Sequence, residues 1–132
     1  MQSCVRPDSV DEDGFGGMKV LQLVYSCVPG SYRGGIPKIA FELARHQAKL
    51  GHEIHICTTN YNSSIPVDVP LDRAVWHDGV CIHYFKATSR RRMRSPALQQ
   101  YLHRNAASFD VIHSHNIFLP LNSYAAQAKR AT

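Results

Sequence analysis

Two apolar runs frame the first half of the chain, Lys19 to Tyr25 (KVLQLVY) and Glu53 to Thr58 (EIHICT), and both read as strands. Between them, Ile36 to Leu50 carries apolar residues at helical spacing, and only Gly51 and His52 separate that helix from the second strand. So short a return forces the helix to lie back across the sheet, so the two strands run parallel in a right-handed crossover. Near-continuous apolar strands are those covered on both faces. This one unit already restricts the chain to an α/β fold. Pro37 in the first turn and Gly51 at the far end punctuate the helix in the usual asymmetric way. Its inward face is predicted to carry Ile36, Ile39, Ala40, Leu43, Ala44 and Leu50.

The remaining elements extend the same pattern. Val75 to Phe85 reads as a hairpin turning at Asp78-Gly79. Ser95 caps a second helix with Pro96 in its first turn, running to about Ser108. Asp110 to His115 (DVIHSH) is another strand, and Leu119 to Arg130 a final Ala-rich helix with Leu121, Ala125 and Ala128 inward. The predicted fold class is α/β, a parallel sheet with helices on both faces. With 132 residues, 44% of them hydrophobic, the chain can build one core but not two. Residues 1–17 are acidic, glycine-containing and aperiodic, and read as a disordered extension. The folded domain is expected over 18–132, and Met18 is a second candidate start.

Ligands of such sheets bind in the crevice beyond the carboxyl ends of the strands. Topology brings three segments there: the loop after the first strand, Thr58 to Asn60, and Ser114 to Phe118. The loop carries Gly34 and Gly35 directly before the helix. Free N–H groups and the positive dipole end would bind an anion there, and bare glycines let a phosphate approach closely. The same pair also suits a tight turn, and the residues alone leave both readings open. The spacing is not G-x-G-x-x-G, and no carboxylate ends the second strand, which argues against a nicotinamide dinucleotide; no G-K-[ST] follows, which excludes a P-loop.

Val111, His113 and His115 alternate onto one strand face, with Ile112 and Ser114 on the other. His115, at the crevice end, could hydrogen-bond a ligand hydroxyl or phosphate. His113, deeper in the strand, reads as a packing histidine. A metal site built from Cys81, His83, His113 and His115 lacks ligand spacing, so no metal is expected. Arg90, Arg91, Arg92 and Arg94 share one loop, which reads first as solvated. Its functional reading is contact with an anionic acceptor or membrane surface, in keeping with the +5 net charge. No aromatic residues interleave with the arginines, so nucleic acid is not expected as a partner. Four scattered cysteines form neither a disulfide framework nor a zinc ribbon and suit a reducing cytoplasm. No apolar run reaches the length of a membrane span. The expected location is cytoplasmic, with peripheral contact at the inner face of the membrane left open.

Three blocks together, MKVLQLVYSCVPGSYRGGIPKIAFELARHQAKLGHEIHICTT, DGVCIHYF and FDVIHSHNIFLPLNSYAAQAKRA, resemble the N-terminal half of family 4 glycosyltransferases over residues 18–132. The resemblance implies a Rossmann-like, incomplete N-terminal half of a GT-B fold. It implies retaining sugar transfer from a nucleotide-sugar, used as substrate and without a metal cofactor, to a carbohydrate or lipid-linked acceptor. It places Gly34 and Gly35 at the donor diphosphate and assigns His115 the family's functional histidine. The donor-binding domain, with its paired glutamates, is absent from these residues. The chain is therefore expected to be a truncated acceptor-side domain, inactive without a complementing polypeptide. The rivals are a non-catalytic Rossmann-like anion- or partner-binding module and a nucleotide-dependent epimerase, the latter disfavoured by the missing ribose carboxylate.

Overall fold

The most buried strands are those whose sequences leave no polar face. In a computed structural model describing residues 17–25, 27, 35–60, 68–71, 73–88, 94–115 and 120–130, Lys19–Leu23 (β1), Glu53–Thr59 (β2) and Val80–Phe85 (β4) form the middle of a five-stranded sheet. Val75–His77 (β3) and Val111–Ser114 (β5) are its edges, in the order β3-β4-β2-β1-β5. β1 pairs parallel with both β2 and β5, and β2 pairs parallel with β4. Only the β3–β4 hairpin is antiparallel. Its two-residue turn has Asp78 at φ 52° and Gly79 at φ 81°. Successive positive φ values match the twist of the flanking strands, and this is why Asp-Gly closes the hairpin.

Ile36–Lys49 (α1) covers one face of the sheet, packing with Val20, Val24, Ile54, Ile56, Val80, Ile82 and Tyr84. Pro96–Asn105 (α2), the 3₁₀ turn Ala106–Ser108 and Pro120–Arg130 (α3) cover the other, against Leu21, Leu23, Cys57 and Phe85. Leu98 and Leu102 of α2 are fully buried there, each contributing about 1.5–3 kcal/mol relative to exposure. The α/β class and the element order agree with the sequence reading; ends move by one or two residues, except that α2 stops three residues short of Ser108, where a 3₁₀ turn replaces it.

Packing on α1 departs from expectation. Ala40, Phe41, Ala44 and Ala48 are its buried residues, while Ile39 is 61% and Leu50 68% exposed. The alanine spacing of four lets the helix backbone approach the sheet; Ile36 still packs against the core as expected, while Ile39 and Leu50 are displaced toward solvent. Gly34, Arg90, Arg91 and Arg92 lie outside the described residues, as does most of 1–17. Among the described residues, no helix is long and apolar enough to cross a membrane.

Candidate functional site

β1, β2, β4 and β5 run parallel and end on one side of the sheet, where ligands of such folds bind. Beyond the regular ladder, Val24 N donates to Cys57 O (3.2 Å), Thr59 N to Tyr25 O (3.2 Å) and Asn60 N to Phe85 O (2.9 Å). The Asn60 carboxamide oxygen also accepts from Ala87 N at 3.0 Å. These bonds tie the strand ends to one another. Thr58, near the end of β2, has a buried hydroxyl with no hydrogen-bond partner among the described residues.

Gly35 caps α1 at φ 71°, ψ −152°. That conformation is accessible essentially only to glycine, so the turn reading of the glycine is satisfied by geometry. An added Cβ would meet nothing within 4 Å. No side chain caps the helix, and its first turn holds no acidic residue. Among the described residues the positive end of the dipole is therefore left uncompensated, beside the exposed Lys38. The anion reading stays compatible with the same residue.

His115 follows β5 directly, and its backbone N–H donates to Leu23 O at 3.0 Å. It thus sits against the end of β1, the strand whose onward chain leads to Gly35. Its Nε2 lies 2.7 Å from Gln22 Oε1, and its ring stacks on His113 at 4.3 Å. Burial first, and then the neighbouring His113, push its pKa down to about 4. The ring is consequently neutral at neutral pH, able both to donate and to accept a hydrogen bond. His113 is not the packing histidine expected: it is exposed, at an edge of the sheet that α1 does not cover.

Arg94 is exposed, and its carbonyl accepts from Thr88 N at 2.9 Å. With Gln99, Ser123, Tyr124 and Gln127 it lines a polar cleft of about 370 Å³ between α2 and α3. Of the four loop arginines, it is the one among the described residues.

The four-residue metal grouping weighed from the sequence does not assemble. Cys81 and His83 face α2, whereas His113 and His115 lie on the opposite face of the sheet, as strand alternation requires. His55 instead joins Cys81 and His83, with ligand atoms all within 4.8 Å of one another. Cys81 is disulfide-bonded, however, and so offers no thiolate to a metal. The pair His55 and His83 serves a buried polar chain. Glu53 Oε2 lies 2.7 Å from His55 Nε2, and His55 Nδ1 lies 3.1 Å from His83 Nε2. A carboxylate only accepts, so His55 donates to it through Nε2, leaving its Nδ1 to accept from His83. Sequence reasoning missed this chain and also Gln22. Their signal was a polar residue inside an otherwise apolar strand, in EIHIC, VCIHYF and KVLQL.

A largely parallel sheet covered by helices on both faces defines a Rossmann-like α/β protein, a class whose ligands bind beyond the carboxyl ends of the strands. The sequence model of the family described as Glycosyltransferase Family 4 matches residues 33–132, so the chain belongs to that family. Membership makes its function glycosyltransferase-like and points to sugar substrates in general. No curated protein matches it.

Proposed function

We propose that these residues form the acceptor-side wall of a retaining glycosyltransferase of GT-B architecture. The donor is a nucleotide-sugar, and the acceptor a carbohydrate or lipid-linked alcohol. In the transfer, the acceptor oxygen bonds to the anomeric carbon while the bond from that carbon to the diphosphate oxygen breaks. The nucleoside diphosphate leaves, and the acceptor's proton passes to it. The uncapped start of α1 at Gly34 and Gly35 meets the diphosphate charge, and His115 holds a sugar or acceptor hydroxyl. Arg94, with Arg90, Arg91 and Arg92, attracts an anionic acceptor or the anionic surface that carries it. The chemistry requires no metal, since the positive groups named here oppose the leaving charge.

One observation carries this reading. His115 N–H donates to Leu23 O at the end of β1, the strand that precedes the Gly35-capped helix in the chain, and this supports our placing both on one wall of the crevice. Holding donor and acceptor within about 3.5 Å of reaction needs an opposing wall, which we assign to a donor-binding polypeptide segment outside these 132 residues. The test is turnover of UDP- and GDP-sugars by the purified chain, alone and with such a segment added. Transfer is expected only in the second case, and His115→Ala should reduce it at least about tenfold, a loss of about 1.4 kcal/mol of transition-state stabilisation. Robust transfer by the monomeric chain alone would overturn the one-wall assignment. Nucleotide binding indifferent to both Gly35→Val and His115→Ala would favour a non-catalytic binding module.

A further inference from the structure

A glutamine in the middle of β1 is costly. Gln22 is wholly buried, flanked in the sheet by Ile56 on β2 and His113 on β5, where an aliphatic residue would need no hydrogen bonds. Its amide is used at both ends. Nε2 donates to Gln47 Oε1 on α1 at 2.8 Å, and Oε1 lies 2.7 Å from His115 Nε2. We propose that Gln22 is a positioning residue that sets the tautomer of His115, and that Gln47 sets the direction of the Gln22 amide.

Donor and acceptor roles follow along the chain. The Gln47 oxygen can only accept, so Gln22 turns its NH₂ group toward α1. Its carbonyl oxygen then faces His115, and a carbonyl oxygen also only accepts. His115 must therefore carry its proton on Nε2. A neutral imidazole has one N–H and one lone pair, so the lone pair lies on Nδ1, the nitrogen not engaged by Gln22. With Nε2 held at 2.7 Å and the ring stacked on His113, the imidazole is fixed in rotation as well as in protonation. His115 is thereby presented to the crevice as a hydrogen-bond acceptor, suited to a hydroxyl of sugar or acceptor. That last consequence rests on the glycosyl-transfer reading; the tautomer assignment does not.

The half-buried Gln47 permits a test by reversing the polarity of the chain. Glutamate at this position can only accept, and lysine can only donate. In ¹⁵N-histidine-labelled full-length chain, long-range ¹H–¹⁵N spectra distinguish the two neutral tautomers directly, and the His115 signals are identified by their loss in His115→Gln. The native chain and Gln47→Glu are expected to show His115 protonated on Nε2. Gln47→Lys should turn the Gln22 amide over, so that its NH₂ group faces His115 and moves the ring proton to Nδ1. Gln22→Leu should leave a mixture of the two tautomers. Backbone amide spectra establish that each variant is folded, and any that is not is replaced by Gln47→Arg, which is likewise a donor only. A native His115 protonated on Nδ1, or one unchanged by lysine or arginine at position 47, would overturn the proposal. A tautomer that switches in a chain showing no sugar transfer with any donor segment would uphold the relay while removing the proposed function.

Discussion

At the scale of single residues, the polar groups that the fold encloses are its most informative features. Burial, with lesser contributions from His55 and Lys19, lowers the His83 pKa to about 3 from an ordinary 6.5, and burial also lowers that of His55 despite Glu53 beside it. On acidification the unfolded chain therefore takes up protons before the folded one does, and stability rises with pH throughout that interval. The contribution is complete above about 6.5 and is lost as pH falls from 6.5 toward 3. We expect the urea midpoint to fall across this window, and His83→Phe to fall less steeply. Equal slopes in the two chains would exclude His83 as the source. Gly35 offers a second residue-scale prediction. Its φ and ψ of 71° and −152° are forbidden to L-residues, yet the space beside its Cα is open. Gly35→Ala should therefore cost about 1–3 kcal/mol through backbone strain alone. D-alanine placed there by ligation should restore stability, because the mirror of this conformation is the extended polyproline region. A D-alanine chain as unstable as the L-alanine one would refute that account.

Elements were more legible than residues. The hairpin was read from Asp78-Gly79, α2 from Ser95-Pro96, and the parallel class from the two-residue link between helix and strand. Each signal is local chemistry acting on its own backbone, so neighbours in the fold are not needed to interpret it. The inward face of α1 is legible in part, at Ile36, Ala40 and Ala44, because periodicity marks a broad apolar arc, whereas the contact line within that arc depends on how closely the sheet lets the backbone approach. For the candidate site, the place of His115 followed from topology, but its partner did not. A contact between Gln22 and His115 spans ninety-three positions of sequence, and no local pattern encodes it. Ser95 belongs to the legible group and can be tested as a cap. Its Oγ accepts from Leu98 N at 3.4 Å and donates to Lys86 O at 2.8 Å. Ser95→Ala removes both bonds at a fully buried position. A loss of about 1–2 kcal/mol in chemical denaturation is expected. A loss below about 0.5 kcal/mol would mean that water replaces the cap.

At the scale of the whole molecule, the sheet is asymmetric. At one end, β3 is a three-residue strand turned back by its hairpin, too short to template further pairing. At the other, β5 lies outside β1 with no strand beyond it among the described residues. α3 packs on one of its faces and α1 lies over β2 and β4, so among the described residues no helix packs closely on the second face of β5. Val111 is 41% exposed there, beside the exposed His113. An exposed apolar residue on a strand at the edge of a sheet is a condition under which strands recruit another chain. We therefore expect the 132-residue chain to associate as concentration rises from the micromolar to the millimolar range. Lysine at an edge opposes such pairing because its charge would be buried by the incoming strand. Val111→Lys should accordingly keep the chain monomeric while changing its stability by no more than about 0.5 kcal/mol, as for a surface substitution. Sedimentation velocity across a concentration series reads the first quantity, and urea denaturation at the lowest concentration the second. A native chain that stays monomeric throughout would show that this edge is already protected. A Val111→Lys chain that still associates would move the contact to another surface, with this face of β5 excluded as its seat.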